Sequence, residues 1–214
     1  MSRITVIGGT GYAGSAIVRE AASRGHEVTA FSRSAPSAPT PGVTYVQGAA
    51  DDPAALESVI GGAEVVVAAL SPRGELVGKL RPIYRQLIQL ADAAGAKLVV
   101  VGGFSALRPV ADAPRFMEGE IPEQFRAEAL ETGGVITEDL PAAPESLDWI
   151  YVSPAGEFGA FAPGEKLGRY RLGGEVALFD ENGTSALSGA DYAAAVVDLI
   201  QRDEHHREQL GVAY

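Results

Sequence analysis

The sequence contains no cysteine among its 214 residues, and this absence removes several kinds of chemistry together. Disulfide bonds, thiolate metal sites and thiol nucleophiles all need cysteine. Positive charge is also scarce, because the formal net charge is −11. A chain of this sign offers no polybasic surface, so neither nucleic acid nor an anionic membrane is expected as a partner. A cytoplasmic location fits the missing cysteines best, with a secreted protein free of disulfides as the alternative.

Long apolar runs are missing as well. The longest, at residues 65–70 and 98–101, have the length of strands and cannot span a bilayer. The first residues, MSRITVIGG, end their apolar run at two glycines, which is too short for the core of a signal peptide. We therefore expect neither a membrane anchor nor a targeting segment. With 46% hydrophobic and 21% charged residues, the chain is expected to fold as a single domain over residues 1–214.

Short β-rich runs alternate along the chain with segments of helical periodicity. Strands are predicted at residues 4–7, 26–32, 43–47, 64–70, 97–101, 147–152 and 210–214. Helices are predicted at residues 11–24, 53–60, 82–94, 121–131 and 190–201. This alternation is typical of βαβ units and predicts an α/β fold, a Rossmann-like doubly wound parallel sheet with helices on both faces. Asp52 is expected to cap the second helix, and Ser188 and Asp191 to form a capping box before the last.

Residues 155–186 differ in kind, because they are rich in glycine and aromatic residues. They are interpreted as a substrate-side insertion that forms a small C-terminal lobe. Within it, RYRLGG and VALFD are predicted to pair as a hairpin.

Two glycine spacings overlap in VIGGTGYAGS, at the end of the first strand. Read from Gly9 the stretch is G-x-G-x-x-G, and read from Gly8 it is G-x-x-G-x-x-G. Because it joins a buried strand to a helix, it has the context of a turn that binds a dinucleotide pyrophosphate. The helix that follows would present free N–H groups to the phosphates. A glycine turn that only packs is the alternative.

The end of the second strand bears on the choice of dinucleotide. A protein that selects NAD usually has an acidic residue there, about 20 residues past the glycines, which binds the ribose 2′-hydroxyl. This chain has Ser32, Arg33 and Ser34 instead. The guanidinium of Arg33 is a planar, permanently charged fork suited to a 2′-phosphate, so NADP(H) is predicted as the cofactor. An arginine at a solvated loop edge is the alternative.

Several motifs together resemble one family. They are GGTGYAG, FSRS after strand two, GAADDP after strand three, VVGG ending strand five, DWIYVSPA at strand six, and GRYRLGG and SGADYAAAVVDLI near the end. The chain resembles the atypical short-chain dehydrogenases/reductases, and within them the small NAD(P)H-binding proteins related to biliverdin reductase B, flavin reductases and NmrA-type proteins. The resemblance extends over essentially the whole chain.

The resemblance implies a set of cofactor contacts. The family spacing maps to Gly8, Gly11 and Gly14, with Gly9 as a tolerated extra where alanine is common. Thr10, Gly11 and Tyr12 would contact the pyrophosphate, and Ser32, Arg33 and Ser34 the adenosine phosphate. The backbone of Ala68, Ala69 and Leu70 would lie along the cofactor, and Ser153, Pro154 and Ala155 would approach the nicotinamide.

The chain departs from the family pattern in two places. An aspartate near the adenine amino group is often found after strand three, but Ala49 stands there, which leaves Asp51 as the substitute. Many short-chain dehydrogenases also use a Tyr-x-x-x-Lys pair for proton transfer. None of the seven tyrosines has a lysine four residues on. Ser105, which matches the family's catalytic serine, is the remaining catalytic candidate, with a plain turn residue as the alternative.

Two further groups stand near the expected mouth of the cleft. Four cations would attract an acidic substrate or form a solvated helix face: Arg73, Lys79, Arg81 and Arg85. Five phenylalanines would stack on a planar acceptor or pack locally: Phe104, Phe116, Phe125, Phe158 and Phe161. His26 is isolated and the adjacent His205 and His206 are expected to diverge without a nearby partner, so no metal is predicted.

These features predict an NADPH-dependent oxidoreductase that reduces a flavin, quinone or similar conjugated acceptor, a reaction that needs cofactor positioning more than a protein acid. A non-catalytic NADP(H) sensor is the alternative. A third is an epimerase or isomerase, which the missing tyrosine–lysine base disfavours. The expected partner is a small-molecule acceptor, with the chain acting as a monomer or a homodimer.

Overall fold

A computed structural model describes all 214 residues, 1–214. Eight strands form one sheet: β1 (Arg3–Ile7), β2 (Glu27–Ser32), β3 (Thr44–Gln47), β4 (Val65–Ala68), β5 (Lys97–Val101), β6 (Trp149–Ser153), β7 (Arg171–Gly173) and β8 (Glu208–Ala213). Their order across the sheet is β3-β2-β1-β4-β5-β6-β8-β7. Every neighbouring pair is parallel except β7 and β8. The predicted Rossmann-like parallel sheet is therefore confirmed.

Five α-helices connect and cover the strands: α1 (Tyr12–Ser23), α2 (Pro53–Ile60), α3 (Leu80–Ala94), α4 (Glu123–Gly134) and α5 (Gly189–Arg202). The core is divided by the sheet into two apolar clusters, one packed by α1 and α5 and the other by α2 and α3. Alternate residues of β4 belong to opposite clusters, with Val65 and Val67 in one and Val66 and Ala68 in the other. This explains why the strand reads as a continuous apolar run. None of the helices combines the length and the apolar character that crossing a membrane requires.

Side chains cap the N-termini of α2 and α3 in two different ways. The carboxylate of Asp52 accepts from the N–H groups of Ala54 and Ala55 at 3.0 and 3.3 Å, which confirms the predicted cap of α2. Pro82 is the third residue of helix α3, early in the helix as predicted, and the helix lacks a side-chain cap of its own. Glu131 of α4 supplies it, accepting from the N–H groups of Gly78 and Leu80 at 3.1 and 2.5 Å.

The predicted hairpin in the C-terminal segment is wrong. β7 pairs antiparallel with β8, so that Leu172 lies opposite Val212, and the VALFD run forms no strand. Val176 makes only an isolated bridge to Arg108. The reason is that β8 would otherwise end the sheet with unpaired backbone groups, and the short β7 satisfies them.

Asp191, in the first turn of α5, joins the C-terminal segment to the rest of the fold. Its carboxylate is 1% exposed and accepts from Leu167 N, Gly168 N and the hydroxyls of Ser188 and Tyr214 at 2.6–2.9 Å. The Ser188 hydroxyl accepts in turn from Asp191 N at 3.1 Å, which is half of the predicted capping box. Burial raises the pKa of Asp191, but the four hydrogen bonds outweigh it and hold the pKa below its usual value.

Replacing Asp191 with asparagine is expected to lower the free energy of unfolding by about 2 to 3 kcal/mol at neutral pH, because an amide cannot accept from all four buried donors. A carboxyl whose pKa is lower in the folded state stabilises the fold above its unfolded pKa of about 4, and this contribution is lost as the pH falls through the folded value. The difference between the two proteins should therefore shrink below about pH 4. Urea denaturation at a series of pH values measures it.

The matched control is Asp112→Asn. Asp112 is exposed and has a φ of 63°, a backbone conformation that asparagine also tolerates. This variant should have the same free energy of unfolding as the unmodified chain at every pH. An Asp191→Asn protein that also matched the unmodified chain would refute the role given to the buried carboxylate.

Candidate functional site

The turn after β1 requires glycine at two of its positions because backbone atoms approach too closely for a side chain. Gly8 has a φ of 85°, and a Cβ atom there would lie 2.4 Å from the carbonyl oxygen of Ala69. A Cβ atom at Gly14 would lie 2.1 Å from the carbonyl oxygen of Gly8. The turn closes with a 3.0 Å hydrogen bond from Gly11 N to Gly8 O. Gly14 therefore lets α1 start directly against the turn.

The interpretation of Gly9 as a tolerated extra is wrong. A Cβ atom at Gly9 would lie 2.8 Å from the Cβ of Ala30 in β2, a separation that real side chains avoid. Gly11 is the roomier position, since the nearest atom to its Cβ would be 3.3 Å away. Both overlapping glycine spacings thus have a physical reason in this chain.

The N-terminus of α1 is open to an anion. Its cap residue, Gly11, has no side chain to accept a hydrogen bond, and the first turn contains no acidic residue. The N–H groups of Tyr12 and Ala13 consequently have no partner within the protein. Helices α2 and α5, by contrast, are closed by Asp52 and Ser188. Free amides and the positive end of a helix dipole are the features with which helix N-termini bind phosphates in proteins.

A cleft of about 280 Å³ opens beside this helix end. It is lined by the glycine turn and by the segments that follow β2, β3 and β4. The lining includes nine residues predicted to bind the cofactor: Gly8, Thr10, Gly11, Ser32, Arg33, Ser34, Asp51, Ala69 and Leu70. Four others lie outside it: Tyr12, Gly14, Ala68 and Pro154. Ala68 is buried in β4, and its carbonyl oxygen accepts from the hydroxyl of Tyr84 at 3.2 Å.

Charged side chains form two ion pairs at the mouth of the cleft. The guanidinium of Arg33 pairs with Glu75, and the ammonium of Lys79 lies 2.9 Å from the carboxylate of Asp51. The hydrogen bond from Lys79 lowers the pKa of the Asp51 carboxyl, and the charge of Arg33 acts in the same direction. Glu75 was not anticipated from the sequence, because it is brought to Arg33 only by the fold, 42 residues further along the chain.

Tyr12 connects the glycine turn to the C-terminal segment. Its hydroxyl donates to Pro163 O and accepts from Gly189 N, each at 3.0 Å. Its ring meets Phe158 edge to face at 5.3 Å. A Cβ atom at Gly189 would lie 2.9 Å from the tyrosine ring, so the close packing depends on that glycine. The side chain of Tyr12 is thus committed to the fold, which leaves its N–H group for the cofactor.

Ser105, the catalytic candidate, lies in a single 3-10 turn, Phe104–Ala106, just beyond β5. Two side chains anchor this turn, because the carbonyl oxygen of Ala106 accepts hydrogen bonds from the buried Gln209 at 3.1 Å and also from Arg115. Gln209 donates as well to the hydroxyl of Ser153, at 3.0 Å. Sequence reasoning missed Gln209 and Arg115, since 103 residues separate the glutamine from the carbonyl that it binds.

Tyr151 is the tyrosine nearest this turn, and it is buried. Its hydroxyl accepts from Gly103 N at 3.2 Å and donates to Thr132 O at 3.3 Å. Burial raises the pKa of this hydroxyl, so it stays protonated and shielded from solvent. Tyr151 therefore fixes the end of β5 and is a poor donor to a substrate.

The five predicted phenylalanines divide into three groups, and Phe158 packs apart from the others, with its ring centroid 4.7 Å from that of the buried Tyr192. Phe104 and Phe116 stack with ring centroids 4.8 Å apart, and Phe179 meets Phe104 edge to face at 6.3 Å. This cluster lies beside Ser105, where the carboxyl ends of β5 and β6 open. Phe125 and Phe161 are instead exposed on the surface.

The predicted cationic group carries no free charge. Arg73 pairs with Glu128 at 2.8 Å, and Arg81 and Arg85 both bind the buried carboxylate of Asp139, at 2.8 and 2.7 Å. Arg81 and Arg85 therefore tie α3 to the segment after α4, and Arg73 ties the segment after β4 to α4 itself, which favours the structural interpretation of all three.

Asp148, Asp203 and His206 have ligand atoms within 4.8 Å of one another, the spacing of a metal site. The ammonium of Lys97 already lies 3.0 Å from Asp148 and 2.6 Å from Asp203. The expectation that the adjacent histidines have no partner is wrong, because His206 contacts Asp148 and His205 contacts Glu208, each at 2.9 Å. The cluster is an ion-pair network around Lys97.

Comparison with known proteins identifies the family to which this fold belongs. The model of the NAD(P)H-binding family matches residues 8–203. A solved structure from Burkholderia pseudomallei, named as an exported protein provisionally, is 36% identical with a TM-score of 0.86, and the similarity covers 100% of both chains.

Two further structures have the same fold along their whole length. A protein from Bacteroides thetaiotaomicron, provisionally named an epimerase, is 29% identical with a TM-score of 0.88, covering 100% of this chain and 97% of the other. A protein from Streptococcus pneumoniae, provisionally named an NADH-flavin reductase, is 29% identical with a TM-score of 0.84, covering 100% and 99%. With an open helix end beside a cleft and a family model that spans nearly all of its length, the chain belongs to the NAD(P)H-binding family.

Proposed function

We propose that this chain is an NADPH-dependent oxidoreductase that reduces a flavin, a quinone or a similar conjugated acceptor. The observation that carries the proposal is the cleft itself. It combines the uncapped start of α1 with Arg33 at its far end, and no acidic residue follows β2. The glycine turn suits a pyrophosphate, because a Cβ atom at Gly8 or Gly14 would collide with backbone and shift both the turn and the free N–H groups at the start of α1.

The preference for NADP(H) over NAD(H) rests on Arg33. Its side chain is 55% exposed and lines the cleft at the end of β2, where it can bind a 2′-phosphate through two N–H groups. An NAD-selective chain would place a carboxylate there to accept from the ribose 2′-hydroxyl. The name of the Streptococcus pneumoniae relative specifies NADH, so the choice between the two cofactors has to be measured on this chain.

The chemistry is proposed from what the residues offer. A bound nicotinamide would supply a hydride, while the amides of α1, Arg33 and the backbone at Ala69 would hold and orient the cofactor. Ser105 is the side chain proposed to meet the acceptor. No Tyr-x-x-x-Lys pair is present and Tyr151 is buried, so an acceptor that takes its proton from solvent suits the site. Flavins and quinones belong to that class.

A non-catalytic NADP(H) sensor is the second candidate, because Ser105 has no general base bonded to it. An epimerase is supported only by the name of the Bacteroides thetaiotaomicron relative, and this chain lacks the base that such chemistry needs. We also propose that the protein is cytoplasmic, which the absence of cysteine favours, and that it acts as a monomer or a homodimer.

The experiment is to mix the purified chain with NADPH and follow the loss of the nicotinamide absorbance with a panel of free flavins and quinones. Turnover with at least one acceptor is expected. The Arg33→Ala chain, purified in the same way, is the control: a contaminating reductase would keep its Michaelis constant for NADPH, whereas this enzyme should show a higher one. Tight NADPH binding without turnover of any acceptor would favour the sensor.

A further inference from the structure

Four charged side chains face one another in pairs across the cleft mouth. Arg33 and Asp51 follow β2 and β3 on one wall, and Glu75 follows β4 on the other, with Lys79 just beyond the lining. In the sheet, β1 with its glycine turn lies between β2 and β4. The two ion pairs therefore link the two walls across the cleft.

The side chains of both ion pairs can separate and bind other charged groups instead. The side chains are between 42% and 78% exposed, Glu75 most of all. Exposed pairs of this kind add little to stability, a factor of about two to five in an equilibrium constant. Lys79 pairs with Asp51 and is also near enough to Glu75 for their charges to interact, so Glu75 keeps a second cation nearby when Arg33 leaves it. The Arg33–Glu75 pair can thus open at small cost.

The guanidinium of Arg33 has a limited set of donors, and Glu75 already uses one terminal nitrogen. A phosphate dianion that approaches Arg33 must displace the Glu75 carboxylate or stay close to it, and two like charges at that distance repel. A ligand without a 2′-phosphate has no group that competes with Glu75 for the guanidinium of Arg33. The two cofactors consequently differ in their effect on Glu75.

We propose that Glu75 is a specificity-determining residue that competes with the ribose 2′-phosphate for Arg33. The proposal rests on the proposed function, because it assumes a cofactor with that phosphate. Glu75 weakens binding of every ligand that must take over Arg33, and it leaves ligands without a 2′-phosphate unaffected.

The test uses two adenosine fragments that isolate this end of the cleft, adenosine 2′,5′-bisphosphate and adenosine 5′-monophosphate, titrated calorimetrically. In Glu75→Gln the bisphosphate should bind about five- to ten-fold more tightly, because both the competitor and its repulsion are gone, while the monophosphate should change less than about two-fold. Glu64→Gln is the matched control. Glu64 is half-exposed and paired with Arg3, but it lies before β4, at the opposite edge of the sheet.

Unchanged binding of the bisphosphate in Glu75→Gln, or equal tightening of both fragments, would overturn the proposal. An equal gain in Glu64→Gln would do the same, since it would show a general effect of net charge. Arg33→Ala separates the two levels of the argument. If the unmodified chain prefers the bisphosphate and loses that preference in Arg33→Ala, the proposed cofactor stands and only the role of Glu75 is at issue. If the unmodified chain shows no preference for the bisphosphate and Arg33→Ala changes nothing, the cofactor assignment fails, and the role of Glu75 fails with it.

Discussion

Replacing Gly14 with alanine is expected to destabilise the fold by about 3 kcal/mol or more and to abolish dinucleotide binding. The added Cβ atom would lie 2.1 Å from the carbonyl oxygen of Gly8, which is a backbone atom and cannot rotate away as a flexible side chain could. Helix α1 would have to move away from the turn, and its free N–H groups would move with it. Urea denaturation and NADPH titration measure the two effects.

Gly11→Ala is the control for this variant. Gly11 has a φ of −70°, which alanine adopts readily, and its Cβ atom would find the nearest neighbour at 3.3 Å. We expect this variant to lose much less stability than Gly14→Ala, because the Gly8 carbonyl has to move by only a few tenths of an ångström, and to bind the cofactor more weakly, because the new methyl group would stand at the cleft. A Gly14→Ala protein as stable as Gly11→Ala would contradict the packing described for the turn.

Replacing Arg33 with alanine is expected to weaken NADPH binding by about ten- to one-hundred-fold, the loss of one or two charge-assisted hydrogen bonds. Binding of NADH should change less than about two-fold, because that cofactor has no phosphate for Arg33 to hold. The fold should be unaffected, since the side chain is half-exposed and its one partner, Glu75, is more exposed still. Titrations with both cofactors give the two affinities.

Arg3→Ala provides the comparison. Arg3 is as exposed as Arg33 and also pairs with a glutamate, Glu64, but it begins β1, at the end of the sheet opposite the cleft. The Arg3→Ala substitution removes the same charge from the protein without changing the cleft. Equal losses of NADPH affinity in the two variants would show that Arg33 acts only through the net charge.

Much of the architecture could be predicted because the determining interactions are local. The VVVA run of β4 has to be buried on both faces, which only a covered parallel sheet provides. The sequence Asp52-Pro53 carries its own helix start, and the structure places the cap where it was expected. The glycine turn is equally local, since its strand, its turn and its helix are consecutive.

Features that depend on distant partners were not predictable. The RYRLGG run was predicted as a strand, but its partner was not, because β7 lies within that run and pairs with β8 instead of VALFD. Glu131 caps α3 from a helix about 50 residues away, and Gln209 reaches Ala106 across the sheet. Sequence spacing contains no sign of either contact.

The candidate site shows the same division. Arg33 could be identified from its place after β2, but its partner Glu75 comes from the segment after β4 and only the fold joins them. Gly9 was misjudged for a related reason. The residue that forbids a side chain there is Ala30 in the neighbouring strand, which the local glycine spacing does not reveal.

Calorimetric titration of the unmodified chain with NADPH and with NADH tests the assignment of the cleft most directly. Arg33 offers the 2′-phosphate a charge-assisted contact that NADH cannot make, so we predict that NADPH binds at least about ten-fold more tightly. Equal affinities, or tighter binding of NADH, would contradict the role of Arg33 and the choice of NADP(H) as the cofactor.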